Sequence, residues 1–187
     1  AGNFECLTAA IQGGANSVYF GVGNLNMRSH SANNFQPEDL SEICQICRQS
    51  GVKTYLTLNI VLYDEEMEAA RKALDAAKAA GVTAVIASDM AAISYARSIG
   101  LEVHISTQMG ITNYAAATAA YKMGAKRVVL ARELNLEEIR EIRKKVDPKL
   151  EIETFGHGAM CVSYSGRCLL SNYMTGRDSN RGACAQP

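Results

Sequence analysis

Three thiols, an imidazole and several glycines crowd one stretch of the chain, Glu153-Thr-Phe-Gly-His157-Gly-Ala-Met-Cys161-Val-Ser-Tyr164-Ser-Gly-Arg-Cys168, continuing through Arg177-Asp-Ser-Asn-Arg181-Gly-Ala-Cys184. Thiolates are soft ligands that suit iron–sulfur clusters and zinc. Six residues separate Cys161 from Cys168 and fifteen separate Cys168 from Cys184, whereas zinc modules pair their cysteines about two to four residues apart. The spacing favours a cluster, with zinc as the alternative. Gly158, Gly166, Gly176 and Gly182 let the loop bend to bring the thiols together. A cluster is usually held by four cysteines, so one more is expected past Pro187.

His157 reads as a general acid or base, a ligand, or a histidine that holds the loop by a hydrogen bond, the last being the plainer role. Arg167, Arg177 and Arg181 with Tyr164 and Tyr173 form a small basic and aromatic group able to hold phosphate and stack a base. Surface arginines beside Asp178 are otherwise solvated. Cys44 and Cys47 form a C-x-x-C, but Leu40, Ile43, Cys44 and Cys47 follow the stripe of a buried helix face. Cys6, in the first helix, is read the same way.

The elements that must position this loop repeat. Gly14, Gly51, Gly81, Gly100 and Gly124 each follow an amphipathic stretch and precede a β-rich run, as when a helix ends on a glycine and a short loop enters a buried parallel strand. Strands are expected at 17–21, 53–59, 84–88, 102–107, 127–131 and 151–155, with helices between them. Asn3 opens the first helix; Pro37 with Glu38 and Asp39 suits a first turn; Asp64 caps 65–80; Asn135 and Glu138 form a capping box. The fold class is α/β, a parallel βα repeat resembling a TIM barrel. The range 1–187 is one domain, with 157–187 as its Cys- and Gly-rich site loop. A full barrel takes about 250 residues, so the chain reads as cut at both ends.

Parallel α/β folds bind ligands at the carboxyl ends of their strands. That rule selects Asn59, Ser88 with Asp89, Ser106-Thr107-Gln108, Arg132-Glu133 and His157 as one ring around one mouth. Ser88 and Asp89 also have a plain reading as helix caps. His104 lies within a strand, where it points into the barrel on the face of Ser106.

Composition narrows the rest. The 187 residues carry no net charge and are 48% apolar and 20% charged, ordinary for a globular domain with no global pull toward nucleic acid or membrane. No run reads as a membrane span or signal peptide, which makes the cytoplasm the expected location, where cysteines serve as thiols or ligands rather than disulfides. No P-loop, complete G-x-G-x-x-G, H-E-x-x-H or G-x-S-x-G is found.

The run Glu153-x-Phe155-x-His157-Gly158-Ala-Met-Cys161-x-x-Tyr164-Ser165-Gly166-Arg167-Cys168-Leu-Leu-Ser171 resembles the signature of the peptidase U32 family. The likeness extends upstream through Ala1-Gly2-Asn3, Val18-Tyr19-Phe20-Gly21, Asn59, His104-x-Ser106-x-Gln108 and Arg132-Glu133-Leu134. It implies an oxygen-independent hydroxylase with a [4Fe–4S] cluster, modifying tRNA wobble uridine or rRNA (quinone precursors in other members), with prephenate as hydroxyl source. Cys161, Cys168 and Cys184 would be the first three ligands and the residue after Pro187 the fourth. On this reading His157, Arg132 and Glu133 are catalytic candidates, and Asn59, Ser106, Gln108, Tyr164 and Arg167 bind substrate or a small anionic co-substrate. The family's label supplies a rival, a collagenase-like peptidase using Cys161 as nucleophile or a metal at His157. A third possibility is a binding barrel with a structural metal.

Overall fold

The computed structural model describes residues 1–27, 34–157, 161 and 163–185. Six strands form one parallel sheet in the order of the sequence: β1 (Ser17–Phe20), β2 (Lys53–Leu58), β3 (Ala84–Ala87), β4 (Glu102–Ile105), β5 (Arg127–Val129) and β6 (Glu151–Glu153). Helices α1 (Phe4–Gln12), α2 (Leu40–Gln49), α3 (Met67–Ala80), α4 (Met90–Ser98), α5 (Tyr114–Lys122) and α6 (Leu136–Lys145) alternate with them, and α7 (Leu170–Thr175) lies in the cysteine loop. A sheet whose order never reverses is wound in one direction and curls as a barrel wall does, unlike the doubly wound sheet. Residues of β1 and of β6 accordingly face one cavity.

The period-2 alternation of a strand divides the sheet into two faces. In register, Phe20, Leu56, Val85 and Val103 form one row and Leu58, Ala87, Ile105 and Val128 another. All are buried and join Leu7, Ile43, Cys47, Leu74 and Ile142 of the helices in one core. Each buried Leu or Ile contributes about 1.5–3 kcal/mol through apolar area removed from water. Alanines at Ala70, Ala77, Ala96, Ala117 and Ala120 are buried on the helix faces and let the helices approach the sheet closely.

The repeated glycines behave as the spacing predicts: Gly14, Gly51, Gly81, Gly100 and Gly124 have φ of 82°, 69°, 81°, 70° and 94°, the left-handed region open to glycine. Asn3 caps α1, Asp89 caps α4, and Asn135 with Glu138 closes a capping box. Three expectations need correction. The strands end one or two residues early; Ser106, for one, still donates its backbone N–H to Ala87 but turns its side chain to cap the next turn. Asp64 is not a side-chain cap: it lies within a 3-10 turn, Asp64–Glu66, boxed by Tyr63 and Glu66. Cys6 is exposed rather than core, since Leu7 takes the inward position and one residue along a helix turns the side chain by about 100°.

Candidate functional site

The other face of the sheet mixes polar and apolar side chains, and its strand ends enclose a cavity of about 510 Å³. Tyr19, Thr57, Ile86, Val129 and Glu153 come from the strands, and Asn59, Ser106, Gln108, Arg132 and Phe155 from the loops that follow them. The Asn59 side-chain amide donates to Ser106 Oγ at 3.3 Å, and its oxygen accepts from the backbone N–H of Met27 at 3.3 Å. Ser106 Oγ also accepts from the backbone N–H of Gln108. The Arg132 guanidinium lies 5.7 Å over the Phe155 ring, and its buried Nε has no partner among the described residues. A guanidinium keeps its charge at any working pH and binds carboxylates through a planar fork. One that lines a cavity with its Nε unpaired among the described residues is a place for an anion.

Below the cavity the strands lay down a charged layer. His104 is 1% exposed and its Nε2 lies 2.9 Å from Glu102. Its ring meets Tyr55 edge-on at 4.7 Å, and Arg127 sits 5.3 Å over the same tyrosine while bridging Glu151 and Glu153. Burial pushes the His104 pKa below its ordinary 6.5, with the Glu102 hydrogen bond only partly opposing it. A depressed histidine stays neutral when folded, so its stabilising contribution is present above pH 6.5 and is lost as pH falls through the folded value. The melting temperature is therefore expected to drop from about pH 6.5 downward, and a His104→Gln variant to lose part of that slope; identical pH profiles would refute the assignment.

The cysteine loop packs beside this mouth, against the connections that follow β2 and β5. Ser165, fully buried, takes a left-handed conformation (φ 43°, ψ 38°), and Glu133 accepts from its backbone N–H at 2.5 Å and its hydroxyl at 2.6 Å. Burial pushes the Glu133 carboxyl up, but these hydrogen bonds prevail and hold it below its usual range. Cys168 Sγ accepts from the backbone N–H of Leu170 at 3.3 Å, and Ser171 Oγ lies 3.8 Å from Cys184 Sγ. The Ser163 hydroxyl, then that backbone N–H, lower the Cys168 pKa. Asn180 holds Cys168 by its backbone N–H and C=O, and Arg181 pairs with Glu66 and stacks on Tyr63, anchoring the loop to the β2–α3 connection.

The sequence profile of Peptidase family U32 matches residues 2–187. A collagenase of Porphyromonas gingivalis is 51% identical over 99% of this chain and 47% of its own length. The tRNA hydroxylation protein P1 of Bacillus subtilis is 44% identical over 100% of this chain and 44% of its own. This chain belongs to peptidase family U32. It spans less than half the length of these two relatives. The solved U32 peptidase Mk0906 shares the fold, with a TM-score of 0.62 at 17% identity, covering 74% of this chain and 60% of that one.

In the U32 chain, Asn59, Ser106, Gln108 and Arg132 meet in the cavity as the strand-end rule expects. Arg167 lines a second, adjoining cavity, and Tyr164 is half exposed on the loop above. Glu133 lines neither cavity and is committed to Ser165. His157 is exposed and also lines neither. Cys168 and Cys184 both lie against Ser171, but no three His, Cys, Asp or Glu side chains among the described residues stand together as a metal site, Cys161 included. Gly158 lies outside the described residues. Glu153, Phe155 and Arg127 were not anticipated. The signal was present in the alternation Glu102-x-His104-x-Ser106 beside Glu151-x-Glu153-x-Phe155, which puts polar residues of neighbouring strands on one face.

Proposed function

We propose that this chain is the substrate-binding barrel of an RNA-hydroxylating U32 enzyme, acting on tRNA or rRNA in the cytoplasm. The observation that carries the reading is Arg132 in the strand-end cavity, its buried Nε without a partner among the described residues, together with similarity along the whole chain to a tRNA hydroxylation protein. Hydroxylation replaces a C–H bond with C–OH, so an oxygen donor must be held within reach of the base. Arg132 would bind the carboxylate of a small anionic donor such as prephenate, Phe155 would flank it, and Asn59, Ser106 and Gln108 would orient it through hydrogen bonds. Cys161, Cys168 and Cys184 would hold a [4Fe–4S] cluster with a fourth thiolate from beyond residue 187; the donor type and the N–H bond to the Cys168 sulfur suit one. When bound, the cluster would supply one-electron transfer.

The peptidase reading has less support. A Cys–His pair needs mutual hydrogen-bond reach and a third group to orient the base, and neither His157 nor Cys161 has a hydrogen-bond partner among the described residues. Mass spectrometry of nucleosides from cells with and without the gene tests the RNA reading. Loss of one hydroxylated nucleoside is expected, and unchanged RNA would overturn it. Iron and sulfide in anaerobically purified full-length protein test the cluster separately, and colourless iron-free protein would sink it.

A further inference from the structure

Beside the first cavity lies a second, of about 230 Å³, between the ends of β2, β3 and β4 and the cysteine loop. The two share Asn59 and Gln108 as a common wall. Asn59 is fixed by its bonds to Ser106 and Met27, but the Gln108 side-chain amide makes no hydrogen bond to any described residue. Arg167, on the loop side, likewise makes no ion pair or hydrogen bond through its guanidinium. By contrast Arg127, below the cavity, is held by Glu151 and Glu153, and Arg181 by Glu66.

The lining has the character of a site for a flat, uncharged ring. Ile60, Val61 and Met109 supply apolar surface. Asp89 brings a carboxylate; its Oδ1 caps α4, leaving Oδ2 as an acceptor. The lining thus presents donors from Arg167, an acceptor from Asp89 and an amide with both from Gln108. A phosphate would be repelled by Asp89, and an aliphatic ligand would leave the polar groups desolvated without partners. A nucleobase, apolar on its faces and carrying donors and acceptors on its edge, satisfies both requirements. Asn180, which lines this cavity, holds the backbone of Cys168, so a ring bound here lies beside the cysteine loop.

We propose that the second cavity is the seat of one unstacked nucleobase of the RNA, with Arg167 and Asp89 at its edge and Gln108 between it and the anion on Arg132. This rests on the RNA reading above and adds to it where the base sits. An enzyme that acts on a base must take it out of the stack, and here two ligands would meet across the shared wall of Asn59 and Gln108.

The test is photocrosslinking of the full-length protein to short single-stranded RNAs carrying 4-thiouridine or 6-thioguanosine, with the attachment sites mapped by mass spectrometry. Crosslinks at Val61, Met109 or Arg167 are expected. Arg167→Ala is expected to weaken binding of the crosslinking RNA about tenfold, as loss of one good base-edge contact does, with the circular-dichroism spectrum unchanged because the side chain is exposed and unbonded. Crosslinks confined to other surfaces, with Arg167→Ala binding as wild type, would overturn the subsite while leaving RNA as substrate. Absence of RNA binding altogether would overturn both.

Discussion

Arg132→Met is expected to leave the melting temperature unchanged or raise it while lowering kcat/KM for the modification about 10- to 100-fold. The two effects have one origin. The Arg132 Nε is buried without a partner among the described residues, and a buried donor left unpaired costs about 1–3 kcal/mol. An apolar side chain of similar length removes that cost and can still pack on Phe155. What it would remove, on the function proposed above, is a charge-assisted bond to the anionic co-substrate, worth about 1.5–3 kcal/mol. Arg132→Lys should recover part of the loss, since the charge remains while the planar fork does not. Thermal melts and steady-state kinetics decide the matter. Lower stability with unaltered kcat/KM would make Arg132 a packing residue.

Glu133→Ala is expected to destabilise the chain by about 2–4 kcal/mol, because Ser165 loses acceptors for both its backbone N–H and its hydroxyl, and each orphaned buried donor costs about 1–3 kcal/mol. Ser165→Gly should be nearly neutral by itself. It surrenders one hydroxyl bond but relieves the left-handed backbone, a strain of about 1–2 kcal/mol in a residue with a Cβ. In the double variant the losses should fall short of additivity, as expected for residues in one contact. Urea midpoints of the four proteins measure the coupling; a Glu133→Ala midpoint equal to wild type would show that the carboxylate carries no structural duty. Such a result would return Glu133 to the catalytic candidates.

The scaffold was legible because its determinants are local. A glycine after an amphipathic stretch and a β-rich run after that glycine predict five of the six strands, β6 following Asp147-Pro148 instead, and Asn or Asp at three helix starts predicts most caps. The strand-end rule located Asn59, Ser106, Gln108 and Arg132 by the same logic. What escaped depends on pairing between distant residues. Arg127, Glu151 and Glu153 look like a solvated charge cluster until strand register places them around Tyr55 and His104. Glu133 looked available because nothing in the sequence shows that Ser165, thirty-two positions later, adopts positive φ against it. Cys6 was misread because a nine-residue helix with one fully buried residue has too narrow a stripe to fix its rotation.

The division of the sheet into an apolar face against the helices and a mixed face toward the cavity has a bearing on descent. Residues that make the chain fold, such as Leu56, Val85 and Ile105, alternate along each strand with those that line the cavity, such as Thr57 and Ile86. Neighbouring codons therefore answer to different selective pressures. A lineage can exchange the ligand-facing set one residue at a time without unfolding its carrier, and a single ancestral barrel can in this way diverge toward different acceptors.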